Sequence, residues 1–330
     1  RGWAGSGWTV ANNIRAFERW VFRPRVLVDV SQVDISTTVL GTPVAVPILF
    51  APTSIHKLAH PEGELATARA ARAVETLQVL STGASQTIEA VAEVGHARWF
   101  QLYWYSDRGL TRSLIERAHA AGYGAIVLTV DAAIFGWREG EKRVTLLKPD
   151  DAWAVNLPQD VSGLANETRL TWPDLEWLRS VSPLPIVLKG IVRADDARLA
   201  AAHGVEGIMV SNHGGRQADG AIATLDALPA VVAGVAGVSH PPEIYVDGGV
   251  RRGTDVLKAL ALGARAVLIG RPVQWGLAAG GEAGVVRMLE LMTGEFRSAL
   301  GLLGCRSVAE VTRAHVARNP DPRAGLAPRR

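Results

Sequence analysis

The stretch Ser211-Asn212-His213-Gly214-Gly215-Arg216 places an imidazole directly before two glycines, three residues from a guanidinium. Histidine titrates near neutrality and is the side chain best suited to take and return a proton. Asp131 lies far away in sequence and, from another strand end, would orient such a ring and stabilise its protonated form. Arg138 and Arg216 suit a bidentate clamp on a carboxylate. Tyr103 adds a hydroxyl, and Lys189-Gly190 a cation with room beside it. Two glycine–arginine stretches, Asp247-Gly248-Gly249-Val250-Arg251 and Gly270-Arg271, combine backbone N–H groups that a phosphate can approach closely with fixed positive charge. The other histidines, 56, 60, 96, 119, 203, 240 and 315, lack such company and read as structural. His56 and His60 have i, i+4 spacing, but Pro61 follows and no third ligand is near, so no metal is expected. The tryptophans read as packing residues, except that Trp104, beside Tyr103, is a candidate for the site wall.

These residues share a position in a repeating pattern. Short apolar, β-branched runs end in a polar residue or a glycine, and an Ala-rich segment of helical periodicity follows. Strands are expected at 44–50, 77–80, 99–102, 125–130, 186–188, 207–210, 244–246 and 266–269. Helices are expected at 64–74, 87–94, 110–121, 172–181, 194–203, 225–235 and 254–262, with a last one within 282–303. Near-continuous apolar strands mean burial on both faces, as in parallel sheets. Eight strands, each followed by a helix, predict a single (β/α)8 barrel spanning residues 1–330, whose strand ends share one mouth. An open doubly wound sheet is the alternative, but no G-x-G-x-x-G follows the first strand. The N-terminal segment 1–43, Gly-rich and irregular over 1–7, is expected to pack on the barrel, and 139–171 reads as an insertion after the fourth strand.

Composition narrows the class of function. With 48% hydrophobic and 20% charged residues the chain is an ordinary globular protein. The single cysteine, Cys305, excludes an intrachain disulfide and a cysteine-cluster metal site and suits a cytoplasmic setting. Thirty-five basic residues against thirty-two acidic ones, without a run of like charge, suit an anionic small molecule and give no nucleic-acid footprint. No apolar run reaches the ~18 residues of a membrane span, and no signal peptide is visible.

Taken in register, the motifs resemble the FMN-dependent α-hydroxy acid oxidase/dehydrogenase family, which includes glycolate oxidase, lactate oxidase and mandelate dehydrogenase. The resemblance runs from about Trp8 to about His315. It is carried by Phe22-Arg23-Pro24-Arg25, Ala51-Pro52-Thr53, Ala59-His60-Pro61-Glu62-Gly63-Glu64, Gln101-Leu102-Tyr103, Leu128-Thr129-Val130-Asp131, Lys189-Gly190, Ser211 through Gln217, and Asp247 through Gly253. Ser-Asn-His-Gly-Gly-Arg-Gln is the most specific of these. The resemblance implies a TIM barrel with FMN at its C-terminal mouth. Pro52, Thr53 and Ser54 would touch the flavin, Ser81, Gln101 and Thr129 would bond its ring edge, and Lys189 would sit where negative charge develops on it. Ser211 would join these contacts, Asp247 would hold the ribityl chain, and Gly248, Gly249, Arg251, Gly270 and Arg271 the phosphate. His213 would be the base, Asp131 its partner, Tyr103 a hydrogen-bonder to the substrate oxygen, and Arg138 and Arg216 the carboxylate clamp. The implied reaction oxidises a small L-2-hydroxy acid, with O2 or another electron acceptor, in a homo-oligomer (commonly a tetramer) without a membrane anchor.

Three departures from the family pattern bear on specificity. The family's substrate-contacting tyrosine falls ahead of Arg1, and Trp3 does not take its place by position. Gly83 stands where glycolate-type enzymes carry a bulky aromatic, and relatives using larger acids have small residues there. Ser54 stands where the oxidases mostly have Ala and several dehydrogenases or monooxygenases Gly. Three other readings use part of the same residues: a dehydrogenase passing electrons to a quinone or protein, a non-redox phosphate-binding isomerase or aldolase with Lys189 as Schiff base, and a catalytically dead flavin binder.

Overall fold

In the computed structural model, which describes residues 2–143, 149–158 and 165–321, eight parallel strands close into a barrel in chain order. They are β1 (Ile48–Phe50), β2 (Gln78–Ser81), β3 (Arg98–Leu102), β4 (Ile126–Thr129), β5 (Ile186–Ile191), β6 (Gly207–Val210), β7 (Glu243–Asp247) and β8 (Ala266–Ile269). The principal helices after them are α1 (Gly63–Ala73), α2 (Ile88–Val94), α3 (Arg108–Ala120), α4 (Asp174–Val181), α5 (Ala194–Ala202), α6 (Thr224–Gly234), α7 (Gly253–Ala261) and α8 (Arg271–Leu302). Their starts follow local chemistry: the Thr87 hydroxyl accepts from Ala90 N at α2, and the Asp107 carboxylate from Leu110 N at α3.

The strand period of two builds the site. Leu49, Val79, Trp99, Val127, Val187, Met209, Tyr245 and Leu268 belong to the core inside the barrel. Two residues further along each strand come Ala51, Ser81, Gln101, Thr129, Lys189, Ser211, Asp247 and Gly270, at the mouth. The intervening side chains, such as Phe100, Leu128, Leu188 and Val246, belong to the larger cluster between barrel and helices. One alternation thus fills the interior with apolar groups and crowns it with polar ones.

Three expectations change. The run 44–50 is not one strand: Thr42–Val44 pairs antiparallel with Thr37–Val39, and β1 begins only after Pro47, which has no N–H to give a ladder. Lys189-Gly190 lies within β5 rather than after it, with a register shift between Lys189 and Ile191 and φ of 121° at Gly190. The last helix starts at Arg271, directly after Gly270, and breaks at Gly280-Gly281, so the expected range 282–303 leaves out the segment before the break and the helix N-terminus it forms at the mouth. Residues 1, 144–148 and 159–164, within the expected irregular start and the 139–171 insertion, lie outside the described residues.

Candidate active site

His213 heads the loop after β6 in a left-handed conformation, φ 58°, which an ordinary side chain adopts only when its surroundings impose it. The Ser211 hydroxyl accepts from the His213 backbone N–H at 3.0 Å. Nδ1 faces Asp131 Oδ1 at 3.1 Å, and Nε2 faces the Tyr103 hydroxyl at 3.4 Å. The ring is therefore oriented by the carboxylate and offers Nε2 to the mouth. Burial pushes the His213 pKa below its ordinary value and Lys189 adds to this; Asp131 pulls upward without overturning it. The imidazole is neutral at neutral pH, as a base must be.

Lys189 is buried, donates to the Ser211 hydroxyl at 3.0 Å and lies 3.7 Å from Asp247 Oδ2. Burial works against its charge, but Asp131 and Asp247 outweigh burial and hold its pKa above the ordinary value. Burial likewise works against the Asp131 carboxylate, and Lys189 and His213 outweigh it, so Asp131 stays ionised. Beside this charged group runs a neutral belt. The Ser54 and Ser81 hydroxyls are 3.2 Å apart, Ser81 donates to Gln101 Oε1 at 3.1 Å, and Gln101 Nε2 donates to the Thr129 hydroxyl at 3.1 Å.

The loop after β1 is held from below by residues the sequence reading set aside. The Thr53 hydroxyl meets His56 Nε2 at 2.5 Å and accepts from Gln274 Nε2 at 2.9 Å, while His56 Nδ1 meets the Thr67 hydroxyl at 2.9 Å. Glu64, fully buried, accepts from His56 N and Ser85 N, both at 2.9 Å, and from the Ser85 hydroxyl at 2.6 Å, joining the β1 and β2 exits. Glu64 lay in the quoted His60-Pro61-Glu62-Gly63-Glu64 stretch, and its spacing from Ser85 carried no signal of contact.

The two clamp arginines converge, but not on an open fork. Arg138 donates from Nε to Arg216 O and from Nη2 to Gln217 Oε1, both at 3.3 Å. Arg216 donates from Nη1 to Gly2 O and from Nη2 to Glu141 Oε1, the latter at 3.1 Å. Trp104 leaves the mouth, because the strand alternation that turns Tyr103 inward turns Trp104 outward, onto Trp177 with ring centres 4.9 Å apart. There it lines, with Leu128, Leu175 and Leu188, a largely apolar cavity of about 400 Å³ that Tyr103 and Thr129 also border. Gly83 N donates to the Ser81 hydroxyl at 3.2 Å, and a Cβ on Gly83 would fall 2.9 Å from Ser54 Cβ, so Ser54 already occupies the base of the space the glycine leaves.

At the β7 and β8 exits, Gly248 and Gly249 have φ of 96° and 84°. Here the expectation needs a second reason. A side chain on Gly249 would strike the backbone of Asn13, and one on Gly248 would meet Thr224 and the Asn13 side chain, so these glycines also admit the N-terminal helix Trp8–Arg15. Arg251 stacks 5.1 Å over the Trp275 ring and donates from Nη1 to Val250 O at 2.7 Å. Arg271 opens α8 and donates from Nη1 to Gly214 O at 3.1 Å.

A model of the FMN-dependent dehydrogenase family matches residues 1–318. The chain belongs to that family. Among its relatives, an L-lactate oxidase of Nostoc sp. is 51% identical over 93% of this chain and 89% of the relative. A glycolate oxidase of Spinacia oleracea is 47% identical over 95% of this chain and 89% of the relative. A mandelate oxidase crystal structure with (S)-4-hydroxymandelic acid superposes with a TM-score of 0.91 at 40% identity, covering 96% of this chain and 92% of that one.

The mouth of this family member fits FMN on its own evidence. Among the described residues, five buried side-chain atoms lack any hydrogen-bond partner, and three of them are Asp131 Oδ2, Asp247 Oδ1 and Arg271 Nη2, all at the mouth. Buried polar atoms are rarely left unpaired, so such a cluster marks where a ligand supplies the partners. A free carboxylate oxygen suits ribityl hydroxyls, and a free guanidinium nitrogen at the start of a 32-residue helical element suits a phosphate.

Proposed function

We propose that this protein oxidises 2-hydroxy acids to 2-oxo acids at FMN, with His213 as base and O2 as terminal oxidant, and that it favours acids with bulky side chains. The observation that carries the reaction is the His213 geometry: Nδ1 on an ionised Asp131, Nε2 beside the Tyr103 hydroxyl, and a ring kept neutral. The substrate's hydroxyl proton passes to Nε2, and Asp131 stabilises the imidazolium that results. Tyr103 Oη, held protonated by burial, donates to the substrate oxygen. Arg138 and Arg216 would orient the carboxylate so that the substrate hydroxyl lies within reach of His213 and Tyr103. FMN, when bound, would supply the two-electron acceptor for this oxidation. Lys189, fixed as a cation between Asp131 and Asp247, is preorganised for negative charge arising at the barrel mouth. The non-redox and inactive alternatives leave this complete set without a use.

The preference for bulk rests on the absent side chain at Gly83, of whose space Ser54 fills only the base, and on Trp104, whose outward turn removes it as a filler of the rest. Phe135 packs edge-on to Tyr103, with centres 6.2 Å apart, and offers an aromatic wall. Burial of apolar substrate surface gains roughly 25 cal/mol per Å2. A phenyl group then gains on the order of 2 kcal/mol, about thirtyfold in kcat/KM. The test compares glycolate, lactate, 2-hydroxyoctanoate and mandelate under air, reading peroxide, with a dye acceptor in a parallel series. Mandelate or 2-hydroxyoctanoate should lead by about that factor. A lead for glycolate sinks the preference, and turnover with dye but without peroxide assigns another acceptor.

A further inference from the structure

Glu141 belongs to a short helix, Glu139–Arg143, lies ten residues past Asp131 and stands outside every motif that carried the family resemblance. Its carboxylate stands between the two clamp arginines. Oε1 accepts from Arg216 Nη2 at 3.1 Å and from Gly2 N at 3.0 Å, and Oε2 lies 3.8 Å from Arg138 Nη1. The guanidinium that would grip a substrate carboxylate is thus spent on the chain itself, since Arg216 Nη1 is also taken by Gly2 O. The reason is electrostatic. Two guanidiniums brought together at a partly buried site repel each other, and a nearby anion relieves that repulsion. When no substrate is present, Glu141 is that anion.

We propose that Glu141 is an internal surrogate for the substrate's carboxylate, which incoming 2-hydroxy acids must displace from Arg216, so that this residue sets the affinity of the clamp. The proposal rests on the reading of Arg138 and Arg216 as that clamp. It has a definite sign. A ligand that binds only the fraction of molecules with a free clamp has its affinity reduced by that fraction. An ion pair with one half-exposed partner is worth up to about fivefold in such an equilibrium. The same residue, were it a support that aims Arg216 at the substrate, would act in the opposite direction.

The experiment uses holoenzyme and phenylacetate, a carboxylate with no hydroxyl to oxidise, titrated through its perturbation of the flavin absorption spectrum. In Glu141→Gln, which keeps the shape and loses the charge, phenylacetate should bind about fivefold more tightly. KM for the best 2-hydroxy acid should fall in parallel, with the anaerobic flavin-reduction rate at saturation unchanged. Glu141→Asp, with the charge on a shorter arm, should fall between wild type and Glu141→Gln. Unchanged or weaker phenylacetate binding in Glu141→Gln, at an unaltered Tm, overturns the proposal, as does a raised KM. Failure of the underlying reading looks different: phenylacetate would then perturb no flavin, or no 2-hydroxy acid would reduce it, in wild type itself.

Discussion

Two arcs of the same barrel mouth lie side by side and are built on opposite terms. The neutral arc, Ser54 to Ser81 to Gln101 to Thr129, is a closed relay in which each polar group already has a partner in the protein. The charged arc, Asp131, Lys189, Asp247 and Arg271 around the neutral His213 ring, holds partly or fully buried ionic groups and leaves one oxygen of each aspartate and one arginine nitrogen unpaired. Buried charge without full compensation is costly, and proteins keep it mainly where a ligand or a reaction uses it. The neutral arc reads as a seat formed before anything binds. The charged arc reads as capacity held open, and chemistry is concentrated there. Substitutions in the two arcs should therefore differ in size and in kind.

The largest break comes from His213→Ala. Loss of a general base costs on the order of 10²–10⁴ in rate. Flavin reduction by a 2-hydroxy acid should drop by that factor, while FMN stays bound through the phosphate and ring-edge residues, read as yellow protein after gel filtration. In wild type the acid limb of the reduction rate should lie below the ordinary histidine value of ~6.5, because burial lowers this pKa. Reduction at near wild-type rate in the variant would remove His213 from the mechanism.

Asp131→Asn separates the charge from the ring it serves. Asp131 is what raises the His213 pKa against burial and Lys189. Without it the value falls further, and the acid limb moves to lower pH. The base becomes available over a wider range yet works less well, because the imidazolium has lost its counter-charge. A hydrogen bond to a charged group is worth about 1.5–3 kcal/mol, or roughly ten- to a hundredfold in the rate of flavin reduction. A slower variant whose acid limb does not move would mean that Asp131 serves the fold rather than the ring.

How much of this contrast was legible beforehand follows from which interactions are local. Alternation along a strand has period two, so an apolar run ending in Ser81, Gln101, Thr129 or Lys189 announces both the barrel and the residue at its rim. His213, followed by Gly214-Gly215, could be picked out because a turn of that kind needs glycines close in sequence. What stayed hidden depends on pairs the fold alone brings together. Glu64 meets Ser85 across 21 residues, Glu141 meets Arg216 across 75, and Asn13 meets Asn212 across 199. The start of α8 was hidden differently: Gly280-Gly281 reads as a boundary, while helical backbone continues on both sides of the break and carries the helix N-terminus back to Arg271.

The smallest effect is expected in the neutral arc, and it sharpens the comparison most cheaply. The Ser54 hydroxyl has the Ser81 hydroxyl as its side-chain partner at 3.2 Å, and Ser81 keeps its bond to Gln101 when Ser54 is lost. Ser54→Ala deletes one neutral hydrogen bond and leaves the Cβ that already abuts Gly83. A neutral hydrogen bond contributes about 1 kcal/mol net, so FMN affinity and the flavin-reduction rate should each change by no more than about fivefold. No titrating group is touched, so the acid limb should stay where it is in wild type, unlike that of Asp131→Asn. Stopped-flow reduction across pH with a single 2-hydroxy acid, run on both variants, measures the two arcs on one scale. A loss beyond a hundredfold in Ser54→Ala, or a moved acid limb, would show that the relay carries charge-coupled chemistry and that the division between the arcs is not real.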